Sequence, residues 1–423
     1  MIQFVKDVSR PFRMWLKEFL ISFDVVRARR NYARQIVRCR NKLRNGERLN
    51  VVFLVSELSK WKTQSLYDLM GNSSEFNVVV AISCRGDWWN HPEYEKLLDE
   101  CVNDFKSKGM NYVVVADFKT MKDRPLEVLR PDIVFYEQPY DWRRQYMPLS
   151  VSRRALTFYV PYFVPTSDDH PKEYALPFHR TLFRHIELND AWANRFNGLL
   201  KNVRRAGDIV GLGHTYYDSY MQYVNMPQGH RDYVIYAPHW TFDHPGNVNS
   251  QNIGTFLWNG REILSYALSH PEIKWVFKPH PGLQWRLVDS GAWTEEAVKE
   301  YYDAWEKIGV SYFGNDYTDL FMKSRVMITD CGSFLGEYPP CGGALIHLRS
   351  SSEKLHPHIL NKKLYEQFYQ VYDRTELYEV LDEVVLKGHD PKKEARMLAV
   401  HELKLVGNHA AENIVNYLRE VLK

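Results

Sequence analysis

Short runs of β-branched and aromatic residues recur along this chain with room for a helix between them, and that rhythm restricts the fold more than any other feature. VVFLVSE (Val51 to Glu57), NVVVAISCR (Asn77 to Arg85), YVVVAD (Tyr112 to Asp117), DIVFYEQ (Asp132 to Gln138) and LTFYVPY (Leu156 to Tyr162) all have strand composition. Parallel neighbours need a crossover connection, so this spacing predicts a parallel, doubly wound sheet. A helical stretch, Thr181 to Arg205, and a short run, DIVGLG (Asp208 to Gly213), lead to a polar segment at Met226 to Arg231. The domain boundary is expected there.

The pattern then restarts. YVIYAPH (Tyr233 to His239), IKWVFKPH (Ile273 to His280), VSYFG (Val310 to Gly314), VMITD (Val326 to Asp330) and ALIHL (Ala344 to Leu348) read as strands, with helical patterns at Phe256 to Ser269 and Thr294 to Lys307. The expected organisation is a basic amphipathic helical segment, 1–48, followed by two Rossmann-like domains, 49–228 and 229–423. The last helix, 409–422, is expected to be able to pack back on the first domain. Two such doubly wound domains facing a cleft make an α/β architecture of the GT-B type.

Composition narrows the setting. Apolar residues make up 45% of the 423 and aromatic ones 14%, enough for two packed cores. Cys39, Cys84, Cys101, Cys331 and Cys341 are odd in number and lack metal-ligand spacing, which argues against a disulfide framework or a zinc site and for a reducing, cytoplasmic setting. Residues 1–48 hold thirteen Lys or Arg against four Asp or Glu, a local charge of +9 that leaves −6 on the rest of a chain whose total is +3. No apolar run is long enough to span a bilayer, and the N-terminus lacks the pattern of a secretory signal. Phe4, Phe12, Trp15, Phe19 and Phe23 interleaved with basic residues, then an almost wholly basic run from Arg27 to Arg48, fit an interfacial helix on an anionic membrane surface. A helical hairpin packed on its own domain is the alternative. Nucleic acid is not expected as a partner, because the basic arm carries no recognition motif.

The chemistry is expected where strands end. Lys278 and His280, set between Pro279 and Pro281, bring a fixed charge and an imidazole of pKa near 7 to the loop after one strand, where they can bind a phosphate and stabilise a departing nucleotide. His239, beside Pro238 and Trp240, ends a second strand. Thr329, Asp330, Cys331, Gly332 and Ser333 end a third, where glycine allows close backbone approach and the start of a helix favours an anion; simple helix capping explains the same pattern. The polar loop Thr241 to Asn252, with Asp243, His244 and Gly246, is expected to close over a ligand. GLGHTYYD (Gly211 to Asp218) has only a lone GxG and reads as a turn that leaves His214 and Asp218 as cleft candidates.

In order along the chain, YVIYAPHW, a strand ending in KPHP, YTDLFMKSRVMITDCGSFLGEY and VGNHAAENIVNYL resemble the CDP-glycerol glycerophosphotransferases of teichoic acid synthesis over roughly Asp208 to Lys423. The resemblance implies a GT-B fold, a CDP-glycerol or related CDP-alditol donor held mainly by the second domain, and a polysaccharide or lipid-linked glycan acceptor. It also implies chemistry that needs no metal or other cofactor, at the inner face of a bacterial cell membrane. By the same resemblance His280 contacts the donor diphosphate and assists departure of CMP, Ser333 and Thr329 bind phosphate or ribose, and Asp319 starts the preceding helix.

The first half departs from the family, since no Trp-His-Gly motif lies between Leu49 and Arg205. A general base is sought instead among Glu57, Glu137 and Asp141 at strand ends, with Glu137 preferred. Two other readings stay open: a glycosyltransferase using CMP-Kdo or CMP-sialic acid, and an inactive membrane-associated assembly protein.

Overall fold

The computed structural model describes residues 10–84, 94–117, 122–140, 142–164, 174–202, 208–223, 231–242, 254–314, 317–350 and 361–423. The chain divides into two compact units, one of Met1–Tyr162, Asp169–Asp218 and Asn408–Lys423, the other of Phe163–Asp168 and Ser219–Gly407. Asp141 and the loop residues Asp243, His244 and Gly246 lie outside the described residues.

The first unit contains β1 (Leu49–Val55), β2 (Phe76–Ile82), β3 (Tyr112–Val114), β4 (Ala116–Asp117), β5 (Lys122–Asp123), β6 (Ile133–Tyr136), β7 (Leu156–Tyr159), β8 (Arg184–Glu187) and β9 (Ile209–Gly211). β4 and β5 form a small antiparallel pair; the others make one parallel sheet in the order β3-β2-β1-β6-β7-β8-β9. The second unit contains β10 (Tyr233–Ala237), β11 (Lys274–Phe277), β12 (Val310–Ser311), β13 (Ser324–Thr329), β14 (Ala344–Leu348) and β15 (Tyr369–Val371), all parallel, in the order β12-β11-β10-β13-β14-β15. Each sheet reverses its winding once, between β1 and β6 and between β10 and β13. Such switch points leave a crevice at the carboxyl ends of the strands.

The expected helix from Thr181 to Arg205 is corrected: its first part is strand β8, and the helix runs over Asp190–Leu199. Asn189 sets that start, because its side chain accepts the Trp192 amide at 3.1 Å and so caps the helix. β8 reads RHIE, whose charged residues hide a buried strand from a reading based on apolar runs. β15 was not expected either, since three residues are too short to signal.

Both sheets are cored by aromatic residues. Behind β11, Phe277 stacks on Trp305 at 5.0 Å and Tyr236 of β10 lies within 5.9 Å of Phe277. Burial of each such side chain is worth about 1.5–3 kcal/mol, which holds the strand ends, and hence the loops after them, in fixed register. The final helix, Ala410–Val421, belongs to the first unit. The carboxylate of Asp218 accepts the amides of Ala410 and Ala411 at 2.8 and 2.9 Å and so caps that helix.

The N-terminal segment is one helix from Arg10–Arg44, with Val25, Ala28, Tyr32, Gln35 and Cys39 buried against the first unit. The basic run expected to lie free on a membrane is corrected in part. Lys42 and Arg38 pair with the buried Asp132 at 2.7 and 2.9 Å, Arg29 pairs with Asp208 at 2.9 Å, and Arg40 donates to the Val421 carbonyl. Among the described residues no helix is long and apolar enough to cross a membrane.

Asp132 also accepts the amide of Asn50 at the start of β1, so it ties the long helix to the amino ends of β1 and β6. Asp132→Ala removes the carboxylate shared by Lys42, Arg38 and the Asn50 amide and is expected to destabilise the protein by about 2 kcal/mol, read as a lower urea midpoint at an unchanged slope.

Candidate functional site

In the second unit, the switch point between β10 and β13 is closed by a buried carboxylate. Asp330, the first residue past β13, accepts the His239 amide at 2.6 Å through Oδ1, and the Thr255 amide and hydroxyl at 2.6 and 2.7 Å through Oδ2. Behind it, the Tyr236 hydroxyl donates to Asn259 Oδ1, and the Asn259 amide donates to the carbonyl and hydroxyl oxygens of Thr255. Every donor in this chain has an acceptor, which rigidifies a polar network in a low-dielectric interior. Burial pushes the Asp330 carboxyl up to about 6, against the pull of the amides it accepts.

Thr329 is fully buried, and its hydroxyl donates to the Ala237 carbonyl at 2.6 Å while accepting the Cys331 amide at 3.0 Å. Thr329 and Asp330, expected from the sequence to bind the donor, are placed here as a clamp on the ends of β10 and β13. Gly254 belongs to the same clamp, because a Cβ there would lie 1.5 Å from the Thr241 carbonyl oxygen.

The groups left facing the strand ends are half-buried His239, Trp240, His280, Gly332 and Ser333. The rings of His239 and His280 are 5.3 Å apart, and Trp240 lies 5.9 Å from His280. His280 Nδ1 accepts the Gly282 amide at 3.0 Å, and His239 Nδ1 accepts the Thr241 amide at 3.2 Å. An amide in that position needs a lone pair on Nδ1, so each neutral ring carries its proton on Nε2. Burial, followed by the positive charge of Lys278, lowers the His280 pKa to about 4. Burial, followed by its neighbour His280, lowers His239 to about 3. The expected value near 7 for His280 is thereby corrected: both imidazoles are neutral N–H donors at physiological pH.

Lys278 is buried in an aromatic cage, with its ammonium 4.6 Å from the Tyr317 ring centre, 5.4 Å from Phe334 and 5.7 Å from Tyr312. The ring faces stabilise the cation where water is scarce. Tyr317 is itself fixed, donating to Glu337 Oε2 at 2.6 Å. Ser333, in the first turn of the helix Gly332–Glu337, lies 3.3 Å from Cys331 Sγ. All five cysteines are free and buried. The strand ends thus gather neutral N–H donors, a hydroxyl and a caged cation at one edge, an arrangement that suits an anion with several oxygens. Among the described residues no group of three or more His, Cys, Asp or Glu is placed to hold a metal ion.

The first unit repeats the device. Glu137, the first residue past β6, accepts the amide of Ser56, the first past β1, at 2.5 Å, and the Ser56 hydroxyl at 3.0 Å. Burial pushes Glu137 up to about 8, against the Ser56 amide and Lys60. Glu137, preferred from the sequence as the general base, is thus placed as a bracket across the first switch point, and its carboxyl is mostly protonated at neutral pH. Glu57 pairs with Lys60 at 3.0 Å, and Lys60 also donates to Gln138. His214 is buried beside Tyr217, and Asp218 is the helix cap described above, so neither presents an open side chain.

Sequence reading missed Thr255, Asn259 and Tyr317. Thr255 precedes a predicted helix and reads as a cap, and Tyr317 sits in the quoted YTDLF, but neither residue type announces what it will touch.

No family model matches the sequence, and a comparison with curated proteins gives no match. Solved structures match in fold. UDP-GlcNAc 2-epimerase from Neisseria meningitidis bound to UDP-GlcNAc aligns with 88% of this chain and 100% of its own, at 12% identity and a TM-score of 0.55. The S. aureus MnaA–UDP co-structure covers 89% and 97%, at 12% identity and 0.55. A variant of the wall teichoic acid polymerase TagF covers 93% and 98%, at 11% identity and 0.51. The two parallel-sheet domains have the GT-B fold of these structures.

Two expectations follow from the site. The pKa values of His239 and His280 lie below the usual 6.5, so between about pH 4 and 6.5 these two rings bind protons in the unfolded chain that they do not bind in the folded one, and their contribution to stability falls as pH falls. Denaturation at pH 5 is expected to take up about two more protons in the wild type than in His239→Gln/His280→Gln, because the protons released by the buried Asp330 and Glu137 carboxyls are common to both. Asp330→Asn turns a donor toward the amides it should accept, and is expected to cost about 2 kcal/mol by denaturant melting.

Proposed function

We propose that the protein transfers glycerol phosphate, or a related alditol phosphate, from a CDP-alditol to a hydroxyl of a teichoic acid-like or other surface glycan, releasing CMP. The observation that carries the reading is the paired arrangement of Lys278 and His280, a caged cation beside a neutral imidazole whose Nδ1 is occupied by the Gly282 amide. The remaining Nε2–H is a fixed donor for a phosphate oxygen. The fold shared with the teichoic acid polymerase supports the same reaction class, and the motif order described above supports the cytidine donor.

In this reaction the acceptor oxygen attacks the β-phosphorus in line. The new P–O bond forms as the bond to CMP breaks, and the acceptor proton passes to solvent or to the departing phosphate. Charge grows on the CMP oxygen, where Lys278 and the His280 N–H stabilise it; positioning and electrostatics supply the catalysis. Ser333 and His239 hold the other diphosphate oxygens. Such acceptors are met at the inner face of a bacterial membrane.

Two of these neighbours were solved with UDP-GlcNAc or UDP, so nucleotide-sugar donors belong in the same test. CMP or UDP release is measured with CDP-glycerol, CDP-ribitol, CMP-Kdo, CMP-sialic acid and UDP-GlcNAc beside surface-glycan acceptors. A CDP-alditol is expected to be consumed, with His280→Ala slower by about 10²–10³-fold, and Lys278→Met weakening donor binding by about tenfold. Turnover of a CMP-sugar or UDP-GlcNAc alone overturns the reaction, and absence of any nucleotide binding points to an inactive assembly protein.

A further inference from the structure

We propose that the outward face of the N-terminal helix docks on an anionic lipid bilayer. This goes beyond the catalytic reading and does not depend on it. Along Arg10–Arg44 there are two apolar stripes, not one. Val25, Ala28, Tyr32 and Cys39 are buried in the first unit, whereas Phe12, Trp15, Phe19, Phe23 and Val26 are exposed, Trp15 by 58% and Phe23 by 66%. Phe19 and Ala28 are nine residues, about two and a half turns, apart, so the stripes point in opposite directions. The exposed stripe is already ordered on itself, with Trp15 stacked on Phe19 at 5.6 Å and tilted against Phe12 at 5.6 Å.

What continues the outward face decides its occupant. Arg27, Arg30 and Arg34 follow Phe23 by four, seven and eleven residues, which keeps them on the aromatic side, and all three are exposed. They differ from Arg29, Arg38 and Lys42, whose carboxylate partners lie in the first unit. The outward face is thus an aromatic wedge joined to a ladder of guanidinium groups. A bilayer offers both complements, an apolar interior for the rings and phosphates for the arginines, and aromatic rings favour that boundary. Across a two-fold axis a second copy of the chain would bring the same guanidinium groups to this face, like charge against like. The sequence expectation of an interfacial helix and a basic run on lipid is thereby narrowed to one face of one helix. Glu18, paired with Arg180 at 2.7 Å, links the overhanging turns to the domain.

The test uses the full chain, sedimented with phosphatidylcholine vesicles with and without phosphatidylglycerol, beside size-exclusion chromatography. The wild type is expected to bind the phosphatidylglycerol vesicles and to lose binding as salt rises. Phe19→Glu/Phe23→Glu is expected to reduce partition by about tenfold or more, with melting and CMP release in solution unchanged because both rings are exposed. Arg27→Gln/Arg30→Gln/Arg34→Gln is expected to remove the preference for anionic lipid. Equal partition of wild type and Phe19→Glu/Phe23→Glu overturns the proposal. So does absence of vesicle binding by a wild type that is dimeric and becomes monomeric in Phe19→Glu/Phe23→Glu, which assigns the face to a second copy.

Discussion

A buried carboxylate, Asp330, holds the second sheet together where its winding reverses, and the geometry of the candidate site depends on it. Two strands that part at a switch point leave their first backbone amides without partners, and buried amides without acceptors are costly. Asp330 accepts one from each side, from His239 after β10 and from Thr255 at the start of the next helix. Because those amides belong to the loops that carry His239 and Trp240, satisfying the backbone also positions the side chains. Glu137 solves the same problem in the first sheet through Ser56. The two halves share a device with no shared motif.

The site's electrostatics follow from burial and not from residue type alone. An imidazole in water is poised to change charge near neutrality. His280, desolvated and close to Lys278, stays neutral and becomes a directional donor, its tautomer set by one backbone amide. Lys278 stays in the same surroundings because three rings face its ammonium group. One fixed cation and two neutral donors can stabilise an anion without the penalty of crowding several positive charges together.

The long N-terminal helix shows how one element serves two environments. Its second half is fastened through buried pairs to Asp132 and by Tyr32, whose hydroxyl meets Thr157 at 2.5 Å and the Thr181 carbonyl at 2.6 Å. Its first half keeps large rings in water on the opposite face. A helix that spends its apolar residues on both faces in succession is not amphipathic as a whole, and composition alone does not say which of its basic residues face the domain.

From the sequence alone came the alternation of strands and helices, the two doubly wound halves and the loops KPHP, APHW and TDCGS at strand ends. Those features are local, set by β-branched runs, prolines and glycines within a few residues. What Thr329, Asp330 and Glu137 do was decided by the tertiary structure. Each is a polar residue at a strand end, equally suited to a ligand or to the chain's own backbone, and only the approach of a strand dozens of residues away brings it the backbone partners it holds. Strand β8 was hidden for the same reason, since its Arg184 is met by the hydroxyl of Tyr417 in the final helix, a partner far away in sequence. Burial and partnership are long-range properties, and a single sequence does not carry the distances that determine them.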